Sequence, residues 1–187
     1  MSNYLIAVDM GTQGTKTALF DESLTEIASS FVPSNLISPN PGEVQQDPDE
    51  LFSSVVDTIK AVIEESGVNP ADIVSVGIDS QMSGIMGVDQ EWNASMYYDS
   101  WLDVRCEKYM GVMKERIGRR MLELTGAPVT YDHGPKIVWW KNEHPDVYAK
   151  TAKFVEPNVY VVGRMCGLKA EDAYIDYTNL HFTGFAN

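Results

Sequence analysis

Apolar and polar positions change period along this chain, and each change marks an element. Tyr4 to Val8 is a near-continuous apolar run that ends at Asp9. After a Gly/Thr turn, Thr17, Leu19 and Phe20 resume a strand-like pattern. The spacing predicts a hairpin, because β-branched and aromatic residues suit a pleated, half-buried surface. Glu26 to Val32 reads as a third strand, and Pro33 to Pro48, rich in Pro, Asn, Ser and Gly, as a long loop. The period then becomes helical: Leu51, Val55, Ile59, Val62 and Ile63 keep to one face. Asp47 reads as the N-cap, Pro48 suits the first turn, Glu50 completes a capping-box pattern and Gly67 is the expected stop. Ile73 to Ile78 is a short apolar run closed by Asp79, and Ile85 to Val88 is another closed by Asp89. Strand, long helix and strand in this order predict an α/β crossover.

The second half reads as mostly helical. Leu102, Cys106, Tyr109, Met110, Met113, Ile117 and Met121 follow helical spacing. A methionine-rich stripe of this kind is expected to be core, since flexible thioethers fill irregular gaps. Gly126-Ala127-Pro128 breaks the pattern. Pro135 is expected to open a helix carrying Ile137, Val138 and Trp140. His144-Pro145 separates it from a short helix near Val147 and Tyr148. Phe154-Val155 reads as a strand and Val159 to Gly167 as a last helix. No internal repeat or low-complexity tract is visible.

Composition narrows the function classes. At 187 residues the chain fits one domain of ordinary size, or slightly more, and 44% hydrophobic content supplies a sizeable core. A formal net charge of −13 argues against a nucleic-acid partner, which needs a basic surface. No run of about twenty apolar residues predicts a membrane span. Met1-Ser2-Asn3 leads straight into a strand, without a basic-then-apolar signal segment. Two cysteines, Cys106 and Cys166, make a disulfide framework improbable, and the cytoplasm is the expected location.

The candidate chemistry lies in the first turn, Asp9-Met10-Gly11-Thr12-Gln13-Gly14-Thr15-Lys16. Gly11 and Gly14 permit backbone conformations that a Cβ would obstruct. Small residues in a turn aim several N–H groups at one oxyanion. Thr12, Gln13 and Thr15 add side-chain donors and Lys16 a positive charge. Asp9 would repel a phosphate unless a cation lay between them, and Mg²⁺, a hard ion that bridges phosphates, is the natural one. The alternative is a glycine-containing hairpin whose aspartate merely ends a strand.

Together these residues resemble the N-terminal domain of the FGGY carbohydrate kinases, over the whole chain and in order. Asp9-Met10-Gly11-Thr12 through Lys16 looks like the first phosphate loop of that family. Gly42-Glu43-Val44-Gln45-Gln46-Asp47-Pro48 resembles the G-W-V-E-Q-D-P segment before its first helix. Gly77-Ile78-Asp79-Ser80-Gln81-Met82-Ser83-Gly84 falls where xylulokinases carry Gln-Met-His-Gly, and Trp101-Leu102-Asp103-Val104-Arg105 resembles W-x-D-x-R. Thr125-Gly126, Lys136-Ile137 with Trp139 or Trp140, and Asp176-Tyr177-Thr178-Asn179 match later signals. The resemblance implies an α/β fold of the actin-like ATPase, ribonuclease H-like class, with a mixed sheet flanked by helices. It implies an ATP-dependent, xylulokinase-like kinase acting on a ketopentose or related polyol, with Mg²⁺ as cofactor and Asp9 as its ligand. Asp9 and Lys16 would be catalytic, and Gly11, Thr12, Gln13 and Thr15 would hold phosphate. The full-length protein is expected to be a homodimer. Residues 1–187 are expected to be a single truncated domain, inactive alone, without the C-terminal ATP-binding domain and the aspartate base that relatives carry further along.

Departures from the pattern leave the sugar open. Ser83 replaces the xylulokinase-like His, Met82 stands where glycerol kinases carry Arg, and Glu43 and Gln45 replace the usual Trp and Glu. The sugar-side candidates are Gln81, Met82, Ser83, Trp101, Asp103 and Arg105, since sugar sites pair amides and carboxylates with an aromatic wall. Alternatively Trp101 is core, and Asp103 with Arg105 an ordinary ion pair at a helix start. His133, His144 and His181 lack metal-ligand spacing and are expected at the surface or as caps, with His133 an outside candidate for the sugar. Lys136 is expected to stabilise a helix start or a neighbouring carboxylate. A second reading of the whole is a non-catalytic actin-like module for sugar binding or assembly.

Overall fold

The computed structural model describes residues 3–180 and 183. In chain order the strands and helices are β1 (Tyr4–Met10), β2 (Gly14–Phe20), β3 (Glu26–Pro33), β4 (Gln45–Gln46), α1 (Pro48–Ser66), β5 (Ile73–Ser80), β6 (Met86–Val88), β7 (Tyr98–Asp99), α2 (Glu107–Thr125), α3 (His133–Glu143), α4 (Pro145–Lys150), β8 (Lys153–Val155), α5 (Pro157–Cys166) and α6 (Tyr177–Leu180). They divide into two units, one of Met1–Asn35 with Asp47–Gln81, the other of Leu36–Gln46 with Met82–Asn187. His181 lies outside the described residues.

The first unit is a four-stranded mixed sheet in the order β3-β2-β1-β5. β1 runs antiparallel to β2 and parallel to β5, the relation that the strand–helix–strand pattern predicts. Strand alternation sends Ile6, Val8 and Met10 to one face, where they are buried. That face receives α1, whose Leu51, Val55 and Val62 are also buried. Two hydroxyl pairs fasten helix to sheet, Thr15 to Ser54 at 2.7 Å and Thr17 to Thr58 at 2.7 Å. Asp47 caps α1 by accepting from Asp49 N, and Gly67 ends it in the left-handed region at φ 65°. Glu50 does not close the expected box; it turns to Asn35, accepting from Nδ2 at 3.1 Å.

The second unit is built from helices and two-stranded ribbons, β4 with β7 and β6 with β8. Ribbons this short carry no periodicity, so β4 and β7 fall inside stretches that read as loop. α2 begins at Glu107 rather than near Leu102, because the Asp103 carboxylate ties up the preceding turn by accepting from Arg105 N at 3.1 Å. The methionine stripe of α2 is core: Met113 and Met121 are buried with Val129, and Met110, Ile117 and Val138 pack against them. Pro135 is the third residue of α3, still within the first turn, where its missing N–H breaks no helical bond.

One glycine contact tests this packing. Trp92 is buried, adopts φ 70° and donates from Nε1 to Tyr160 O at 3.0 Å. Its ring lies over Gly163, where a Cβ would sit 2.1 Å from Trp92 Cε2. Gly163→Ala is expected to destabilise the protein by about 1–3 kcal/mol, read as a lower urea midpoint. An unchanged midpoint would refute the close packing.

Candidate functional site

The first unit carries the phosphate-type turn. In register, Asp9 of β1 stands opposite Lys16 of β2 and beside Asp79 of β5. Directly paired residues share a face of a sheet. All three are exposed, on the face away from α1. Thr15 is the neighbour of Lys16 and so points the other way; it is 1% exposed and bonded to Ser54. Its hydroxyl is therefore a fastener to α1, and only its backbone remains for a phosphate. The turn closes through Gly11 N donating to Gly14 O at 2.9 Å. Gly14 is required by proximity rather than by φ: a Cβ there would lie 2.4 Å from Val32 O. Gln81 abuts this turn, its N–H donating to Met10 O at 3.0 Å and its Oε1 accepting from Thr12 Oγ1 at 3.3 Å. Gln81 thus belongs with the phosphate turn, while Met82 and Ser83 begin the second unit.

The second unit gathers the other sugar-side candidates around one guanidinium. Arg105 donates from Nε to Asp103 at 2.8 Å, from Nη1 to Glu43 at 3.0 Å and from Nη2 to Asp99 at 2.6 Å. Its plane lies 4.4 Å from the Trp139 ring centroid, a cation–π distance. Asp99, 1% exposed, also accepts from Gln45 Nε2 at 2.8 Å and Trp140 Nε1 at 2.5 Å. Burial pushes its carboxyl up to about 6, against the pull of Arg105. Asp103 is equally buried and accepts a further bond from Val44 N at 3.0 Å. Lys136, 1% exposed, donates from Nζ to the carbonyls of Ser100 at 3.0 Å and Asp103 at 2.6 Å. It pins the 100–103 turn through carbonyls, rather than through the carboxylate expected for it. Trp101, on that turn, is 48% exposed and so is not core.

Three features of this unit have no sequence signature. Asp99 and Glu156 are acids inside a protein, and nothing in their flanking residues announces burial. His133, expected at the surface, is buried at the start of α3 with Nδ1 3.7 Å from Glu156 Oε1. Burial raises Glu156 to about 7. Ser83 takes φ 67°, an uncommon region for a residue with a Cβ. Gly84 follows it because a Cβ there would meet the buried Tyr98 hydroxyl at 2.1 Å.

With this geometry in view, residues 4–187 match the FGGY family of carbohydrate kinases, N-terminal domain. The chain belongs to that family. It is similar to the xylulose kinase of Bacillus subtilis, 28% identical over 166 residues that cover 88% of this chain and 33% of that protein. It is similar also to the gluconokinase of Bacillus licheniformis, 26% identical over 191 residues, covering 100% of this chain and 36% of that one. The solved gluconate kinase of Lactobacillus acidophilus superposes with a TM-score of 0.88 at 24% identity, over 100% of this chain and 37% of that one, which establishes the shared fold. The FGGY domain thus spans about a third of the length of the curated relatives it matches. Among its described residues no helix is long and apolar enough to cross a membrane.

Two measurements probe the second unit. Gly84→Ala should force Tyr98 or the Ser83 turn aside and cost about 1–3 kcal/mol, visible as a lower melting temperature; a melt equal to wild type would refute the contact. Glu156 is raised from 4.5 to about 7, so its proton is held more tightly folded than unfolded. Its stabilising contribution is complete below pH 4.5 and is lost as pH rises through 7. Urea midpoints at pH 5 and 8 should fall more steeply for wild type than for Glu156→Gln, by up to about 3 kcal/mol. Parallel slopes would reject the assignment.

Proposed function

We propose that the full-length protein bearing this domain transfers the γ-phosphate of ATP to a hydroxyl of a ketopentose such as xylulose, or of a related sugar or polyol. The observation that carries the reading is the acid-led turn, with Asp9 and Asp79 side by side on an open sheet face and Lys16 across from them. Among the described residues no group of three or more His, Cys, Asp or Glu side chains converges as a metal cage would. That fits Mg²⁺, which keeps several waters and takes one or two carboxylates along with substrate phosphates. When bound, the ion neutralises phosphate charge during transfer.

The residues of this chain divide the remaining work. Asp9 orients the ion, directly or through water, with Asp79 as a second oxygen donor. Lys16 draws in the transferring phosphate, and Gly11, Thr12 and Gln13 direct backbone and side-chain donors at it, as does the backbone of Thr15. Trp101 offers an aromatic wall to a sugar, and Gln81, Met82 and Ser83 line its hydroxyl side. Asp103 and Arg105, each engaged on every side, set the position of the Trp101 turn. We read the full-length protein as a cytoplasmic homodimer in which this domain is inactive alone.

Asp9→Ala in the full-length protein is expected to lower kcat about a hundred- to a thousandfold, while calorimetry with xylulose shows unchanged sugar affinity. Wild-type turnover in that variant would remove the role. ADP release screened against pentuloses, hexuloses and polyols tests the activity itself, and a protein silent across the panel would refute it.

A further inference from the structure

Substrates in this family differ in charge, since xylulose is neutral and gluconate is an anion, and the fold shared with both kinds of relative does not choose between them. We infer that the second unit selects a neutral sugar and refuses an acid sugar, with Glu43 as the residue that decides. The inference rests on the kinase reading above and concerns which sugar that site takes.

A carboxylate entering a sugar site needs a cation or converging N–H groups to replace its water. The sugar-side segments of this unit carry two permanent cations, Arg105 and Lys136. Arg105 presents no free edge: Nε, Nη1 and Nη2 each meet a different carboxylate, and one ring face is taken by Trp139. Lys136 is buried and its amine is bonded to two carbonyls. His133 is buried too and faces Glu156. Against these two cations stand Glu43, Asp99 and Asp103, so the cluster keeps a net negative charge.

Exposure sets which of those charges an arriving ligand meets. Asp99 and Asp103 side chains are 2% exposed, whereas Glu43 is 14% exposed, as is Arg105. Glu43 is therefore the outermost carboxylate, standing between solvent and the one guanidinium that an acid sugar would otherwise seek. Like charges brought together are strongly disfavoured. A neutral polyol meets no such barrier, and the exposed Trp101 ring suits the C–H face of a sugar.

The test uses the full-length protein, with ADP release measured for D-xylulose, glycerol and D-gluconate. The better neutral substrate is expected to exceed gluconate in kcat/KM by about a hundredfold. Glu43→Gln keeps the shape and removes one charge, and should narrow that gap about tenfold. Gluconate turned over as well as the neutral sugars would overturn the inference and leave the kinase reading standing. A gap unmoved in a folded Glu43→Gln variant would overturn the role of Glu43. Silence with all three and with the wider sugar panel would overturn the kinase reading, and this inference with it. The wild-type comparison needs no variant and so stands whether or not the substitution folds.

Discussion

The second unit is organised by one guanidinium held among three carboxylates. Charges away from water are tolerable only when paired and hydrogen-bonded, and Arg105 meets that demand for Glu43, Asp99 and Asp103 at once. Removing a single partner from such a cluster typically costs about 3–5 kcal/mol, because the remainder is left uncompensated. The three acids come from different places: the segment before β4, the end of β7 and the turn before α2. One side chain thus draws together stretches more than fifty residues apart, Asp99 being bonded also to Gln45 across a sequence separation of 54. Lys136 supplies the second constraint, gripping the same turn from α3 through its carbonyls.

The first unit obeys a different rule. Its chemistry and its core occupy alternate residues of the same two strands. Val8 and Met10 are buried while Asp9 between them is exposed, and Thr15 and Thr17 are buried while Lys16 between them is exposed. The helix on one face fixes the sheet, and the sheet holds the acid and the lysine opposite each other on the other. No loop has to be ordered to present them.

Most of the first unit was legible because its periods are long and clean. β1 to β3, α1 with its Asp47 and Gly67 ends, and β5 all announce themselves by alternation, helical spacing or capping residues. Thr15 was the exception, and the alternation already contained its answer: a residue next to Lys16 must face the opposite side. The second unit was less legible for two physical reasons. β4 and β7 have two residues each, too few to show a period. The acids that matter most are buried by partners distant in sequence, so Asp99 and Glu156 look like ordinary surface residues, and His133 like a loop histidine. The Asp103–Arg105 pair was readable from its spacing; that Glu43 and Asp99 complete it was not.

The alternation in the opening hairpin also limits how this domain can change over time. Shifting either strand by one position would exchange its dry side for its wet one, turning Asp9 or Lys16 toward the helix and valine or threonine toward solvent. Single-residue insertions and deletions there are consequently closed to drift, although conservative replacements on the helix side remain open. Diversification of what the protein accepts is left to segments whose length is free to vary, such as the stretch between β3 and β4.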